Sequence, residues 1–288
     1  MPLVINTNVG SLTAQRYLSN NTTALQDSMA KLASGFRINK AGDDAAGLQL
    51  SEKLRAQIRG TQKAMDNTQD GINVLNIADG ALQTITDNLQ RVRELAVQAG
   101  NDTYNSAQRS AMGGEIIQLL SDIDRISKSS KFNGVDLLSS SSPATFILQV
   151  GANSVSGVDT IDIHSAMGDS SANTLGVAGW TGSSLTSSLT SGDAARSLLG
   201  QIDTALDTVN SKRGNLGAFV NRLQGAINNL SIGTENLSSS ESRIRNVDVA
   251  AESAKLSQAQ ILQQAANTIL AQANQTPQLA LSLLKGGG

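Results

Sequence analysis

The sequence predicts a mainly α fold: a long antiparallel helical bundle with a terminal coiled coil and a small β-hairpin region in the middle of the chain. Hydrophobic residues make up 39% of the 288 but aromatics only 2%, so the core must be built from Leu, Ile, Val and Ala, which favours helix packing over a sandwich. Apolar residues recur at spacings of three, four and seven in both halves of the chain, as they do on helices with one buried face. Serine-rich and turn-rich sequence is confined to the middle, around two short β-prone runs.

The first helix is expected from about Ser11 to Ser34, where Leu18, Leu25 and Leu32 recur every seven residues with Met29 between them. That stripe is narrow and suited to one partner helix, and Gly35 ends it. After a polar segment, Arg37 to Asp44, a second helix is expected from about Ala45 to Gly100, with Leu54, Ile58, Met65, Ile72, Leu75, Leu82, Leu89 and Val92 on one face. At 1.5 Å rise per residue it is about 80 Å long. A turn at Asn101–Asn105 leads to a third helix, about Ser106 to Ser129, buried through Ile116, Leu119, Leu120, Ile123 and Ile126. A fray or bend is expected at Gly113-Gly114, since a mid-helix Gly costs about 1 kcal/mol relative to Ala.

Composition then changes. Thr145–Val150 and Thr160–Ile163 read as strands, and the Gly/Ser/Thr-dominated stretch from Gly168 to Gly192 reads as a surface loop. Ile202, Leu206, Val209, Leu216, Val220, Leu223, Ile227 and Leu230 follow, a coiled-coil type seam interrupted only by Arg213. A last helix, about Leu237 to Gln275, places Leu262 and Ile269 seven apart with Ala259, Ala266 and Ala273 between, so that backbones can approach closely. The chain closes with Leu279–Leu284, Lys285 and three glycines. A narrow stripe near each terminus needs a partner, and the other terminus is the economical one. The expected organisation is therefore a terminal coiled-coil domain, residues 1–44 plus 245–288, and a helical rod, 45–244, with a β-rich tip at about 139–192 and no large outer domain.

Much chemistry is excluded. A net charge of −2 with only 16% charged residues offers no broad basic field for nucleic acid. There is no Cys, hence no disulfide, thiolate metal site or Cys nucleophile. The single His, His164, has only Asp159, Asp162 and Asp169 near it in sequence, and reads as a strand-end surface residue rather than a metal ligand. Asp43-Asp44 precedes a helix and reads as N-cap and first-turn acids, not as a catalytic pair. Phosphate-loop, dinucleotide, zinc-protease and nucleophile-elbow patterns are absent. No catalytic, cofactor-binding or metal-binding residue is expected. Residues 256–284 contain no charged residue, but seven glutamines and Pro277 argue for burial against protein rather than membrane insertion. The N-terminus lacks the basic flank and apolar run of a secretory signal.

Three segments resemble bacterial flagellin: Val4–Asn8 with Leu32–Gly47, Asn88–Gln98, and Ser242–Gln278 with its core Gln260-Ile261-Leu262-Gln263-Gln264-Ala265. Shorter echoes are Phe132-Asn133-Gly134 and Gln149–Asn153. The resemblance implies a non-enzymatic structural subunit that polymerises into the extracellular flagellar filament for swimming motility, its termini pairing in an inner tube. Export through the flagellar type III apparatus, a chaperone covering the C-terminal segment, and contacts with the hook–filament junction and cap proteins are implied with it. Subunit packing is expected through Leu18, Leu25, Met29, Leu32, Leu262, Ile269, Leu281 and Leu284. The family's innate immune receptor, Toll-like receptor 5, is matched by Gln90, Arg91, Leu95 and Glu115. The nearest rival is the hook–filament junction protein, which shares the terminal coiled coil. A chemoreceptor-like signalling arm would explain the long helices but not the β-rich middle or the amide-rich tail.

Overall fold

Helix boundaries follow from local capping chemistry. In the structure, a computed structural model describing residues 7–143, 145–180 and 191–285 (side chains of 180 and 276–285 excepted), α1 spans Val9–Ser34. Asn8 caps it by accepting from Ser11 N at 3.0 Å, and Gly35 ends it at φ 76°, donating to Lys31 O. Helix α2 spans Ala45–Ala99 and α3 Ser106–Ser129. Asn105 and Gln108 form a reciprocal capping box at the start of α3. The buried Arg109 reaches back to the end of α2, donating to Ala99 O at 2.9 Å and Asn101 O at 3.0 Å and pairing with Asp102. Helices α4, Gly192–Arg245, and α5, Val249–Lys285, complete the α-helices among the described residues, beside two single-turn 3-10 helices at His164–Ala166 and Ala178–Trp180.

Two compact units result, residues 1–56 with 236–288 and residues 57–235. The core of the second unit is aliphatic, as composition requires. Leu75, Leu82 and Leu89 from α2 and Ile202, Val209, Leu216 and Leu223 from α4 are fully buried at heptad spacing, joined by Ile116, Leu120 and Ile123 of α3. Arg213, which interrupts the apolar period of α4, pairs with Asp79 of α2 at 2.8 Å.

The middle holds two antiparallel hairpins: β1 (Lys131–Phe132) with β2 (Val135–Asp136), and β3 (Ile147–Gln149) with β4 (Thr160–Asp162), in register Leu148↔Ile161. The second matches the expected strands. The first was not expected from the sequence, because its strands are two residues long.

Several expectations are corrected. Helix α3 is continuous through Gly113-Gly114, and Gly113 is among its buried residues. Part of the expected surface loop is core: Ser170, Ala172, Leu175 and Val177 are buried. Lys212 of α4 holds that segment, donating to Gly168 O, Asp169 O and Ser170 Oγ. Residues 181–190 of the loop lie outside the described residues. The last helical stretch is not one helix from Leu237: α4 runs to Arg245 and α5 begins at Val249 and passes Pro277 to Lys285. Of the two acids, Asp44 caps α2 by accepting from Gly47 N at 2.8 Å, whereas Asp43 folds back onto the N–H groups of Asn39 and Lys40, which hold its carboxyl below its ordinary range.

Candidate functional site

Within the first unit α1 and α5 lie antiparallel. Asn8 Nδ2 donates to Ala273 O (2.8 Å), Ser11 Oγ to Asn274 Oδ1 (2.7 Å), Gln263 Nε2 to Thr22 Oγ1 (3.3 Å) and Ser28 Oγ to Glu252 Oε1 (2.8 Å). Ala14 and Ser28 are buried from α1, and Glu252, Ala259 and Ala266 from α5, with Leu18, Leu25, Leu32, Leu256 and Leu270 half-buried beside them. Glu252 continues the seven-residue row of alanines, and its small neighbours let the two backbones close in.

The expected packing residues divide. Leu18, Leu25 and Leu32 line the seam. Met29 at 53%, Leu262 at 44% and Ile269 at 58% exposure point outward, and the alanine row takes the inner position on α5 instead. Val9, Leu12, Val249 and Ile261 are also exposed. Both paired helices therefore carry large apolar side chains on their outer surfaces, which is unusual for a helix with nothing further to bury. Leu281 and Leu284 lie outside the described side chains.

The base of the pair is a polar clasp that sequence periodicity could not reveal. Arg37 N donates to Arg245 O (2.7 Å) and Val247 N to Gly35 O (3.0 Å), a short antiparallel bridge between the two inter-helix connections. Arg37 Nη2 adds a bond to Ile244 O, and the Arg245 guanidinium stacks on Phe36 at 4.6 Å while pairing with Glu52. Arg245, then Arg55, hold the Glu52 carboxyl below its ordinary range. Burial opposes the charge on Glu252, but the Ser28 hydroxyl and the Lys255 ammonium outweigh it, and its carboxyl also sits low.

In the second unit, Gln90, Arg91 and Glu115 are exposed, and Arg91 bridges α2 to α3 by donating to Glu115 Oε1 through Nε (3.1 Å) and Nη2 (2.9 Å) and to Glu94 through Nη1. Leu95, matched with them by sequence, is only 3% exposed and belongs to the core. His164 carries no metal-type cluster, and among the described residues no group of three or more His, Cys, Asp or Glu is placed to hold an ion. Nor is any described helix long and apolar enough to cross a membrane.

Comparison with known proteins gives this arrangement a context. Residues 5–142 match the bacterial flagellin N-terminal helical region and residues 199–284 the bacterial flagellin C-terminal helical region. A flagellin of Halalkalibacterium halodurans is 43% identical over 98% of this chain and 100% of its own length. The flagellar filament 33 kDa core protein of Treponema phagedenis is 39% identical over 98% of this chain and all of its own. A crystal structure of Bacillus cereus flagellin is similar at 29% identity over 57% of this chain and 88% of that one, with a TM-score of 0.47. Two family regions covering most of the chain, and relatives matched from end to end, make it a member of the bacterial flagellin family.

Proposed function

We propose that this chain is a structural subunit that polymerises with copies of itself into the bacterial flagellar filament, outside the cell, and serves swimming motility. The observation that carries the reading is the double use of the terminal helices: α1 and α5 bury small residues against each other while Met29, Ile261, Leu262 and Ile269 stay exposed. Neighbouring subunits are the natural cover for those rows, which supports residues 1–44 and 245–288 as the assembly domain. The family is one of structural proteins, in keeping with a chain that needs no catalytic group.

Three finer readings belong to the same proposal. A chaperone shields the C-terminal segment before export through the flagellar type III apparatus. The hook–filament junction and cap proteins meet the ends of the polymer. Toll-like receptor 5 contacts the exposed Gln90, Arg91 and Glu115, Leu95 acting from beneath as packing. Negative-stain electron microscopy of the intact chain and of a chain lacking residues 245–288, each after seeding, tests the main reading. Micrometre-long filaments from the first and none from the second support it; short caps or monomers from the intact chain overturn it in favour of a junction protein.

A further inference from the structure

The turn between β1 and β2 consists of two residues, Asn133 and Gly134, and both have positive φ, 48° and 80°. This is the backbone of a primed hairpin turn, for which Asn-Gly is the preferred pair. The same pair is chemically special. Asn followed by Gly leaves the next backbone nitrogen unhindered, so that it can attack the side-chain amide. Asn133-Gly134 is the one Asn-Gly step in the sequence.

The surroundings leave both reacting groups free. Asn133 and Gly134 are exposed, and a side chain added at Gly134 would meet nothing within 4 Å. Among the described residues neither the Asn133 carboxamide nor the Gly134 N–H has a hydrogen-bond partner, whereas the exposed Asn39, Asn101, Asn105 and Asn246 side chains all do. The hairpin itself is two residue pairs long, Lys131↔Asp136 and Phe132↔Val135, and so short a ribbon resists distortion of its turn only weakly. Its fixed points lie beyond the turn, where Leu137 and Leu138 are fully buried and Leu137 N bonds Ser130 O.

We propose that Asn133 is a site of spontaneous, enzyme-free deamidation and isoaspartate formation in this protein. The Gly134 nitrogen attacks Asn133 Cγ and a ring closes. The Cγ–Nδ2 bond breaks, and the departing nitrogen leaves as ammonia, carrying the hydrogen lost from the Gly134 amide. One water then opens the succinimide at either carbonyl, giving aspartate or isoaspartate, so that the net change is amide plus water to carboxylic acid plus ammonia. Aspartate keeps the turn, because it tolerates positive φ. Isoaspartate inserts an extra carbon into the main chain of a two-residue turn and adds a negative charge beside Asp136, whose carboxyl is held low chiefly by Lys131.

The test is incubation of the folded full-length chain at mildly alkaline pH, with isoaspartyl methyltransferase labelling and peptide mass mapping, beside a urea-unfolded sample. Label is expected first in the peptide containing Asn133, in the folded sample as well as the unfolded one, rising in proportion to hydroxide. Asn133→Gln is expected to lose that label while other peptides are unchanged. Label at Asn133 only in urea would overturn the proposal, since the folded turn then protects the residue. Label appearing first at Asn101-Asp102 or Asn153-Ser154 would overturn it too.

Discussion

Truncating an outward residue of the terminal pair separates assembly from folding. Ile261 is 66% exposed on α5, so the isolated chain holds only about a third of its burial. Full burial of such a side chain is favourable by about 1.5–3 kcal/mol, and covering the remaining two thirds in a polymer therefore contributes about 1–2 kcal/mol per subunit. Since 1.4 kcal/mol is tenfold in an equilibrium constant, Ile261→Ala should raise the critical concentration for polymerisation by about 5–30-fold. The free chain should keep its melting temperature, because the seam formed by Ala259, Ala266, Leu18 and Leu25 is untouched. Sedimentation of polymer across a concentration series reads the first quantity, and circular dichroism on the free chain reads the second. An unchanged critical concentration, or a fall in melting temperature as large as that of a core truncation, refutes the assignment of this face to subunit contacts.

Leu89→Ala supplies that core comparison: Leu89 is fully buried, so the loss should be about 2–5 kcal/mol and lower the melting temperature by about 5–20 °C. Arg109→Met removes the donors that close the end of α2 at Ala99 and Asn101; orphaned buried carbonyls should cost about 1–3 kcal/mol in denaturant unfolding. The low-lying carboxyl of Glu252 stabilises the α1/α5 pair above its unfolded value, and that contribution is lost as pH falls through its lower folded value. Acid titration of the pair by hydrogen exchange should show this loss, and Glu252→Gln should flatten it. Arg91→Ala breaks the link from α2 to Glu115 without touching the core; it should abolish signalling through Toll-like receptor 5 in a reporter-cell assay while leaving the melting temperature nearly unchanged.

Periodicity made the long helices legible, because α2 and α4 bury heptad-spaced leucines and isoleucines with little competition from other patterns. It could not say which of two parallel rows on α5 faces α1. Leu262 and Ile269 share their spacing with Ala259 and Ala266, and the choice is made by how closely two backbones can approach, a tertiary quantity. Leu95 is a different case: it lies three residues after Val92 and beside Ala96 on the buried face of α2, and only the family resemblance groups it with the exposed Gln90 and Arg91. The clasp of Arg37, Arg245, Phe36 and Glu52 was illegible for a different reason: its members are local to nothing but each other's three-dimensional positions. The short β1–β2 hairpin left only the Asn133-Gly134 pair as a trace. At Gly113-Gly114 the intrinsic cost of glycine points to a break, but a cost of about 1 kcal/mol is small beside the burial of Ile116, Leu120 and Ile123 that holds α3 in place.

The bridge at the base of the terminal pair joins Arg37 to Ile244, 207 residues apart, and Asn8 meets Ala273 across 265. Contacts this distant in sequence set the timing of the molecule's life on the ribosome. Synthesis at about 5–20 residues per second leaves α1 waiting about 10–40 s before the first turn of α5 exists. Through that interval its leucine stripe has no intramolecular partner, while α2 and α3 can already collapse on each other. Leu18, Leu25 and Leu32 therefore stay open to water until α5 emerges, together with the outward Val9, Leu12 and Met29 of the same helix.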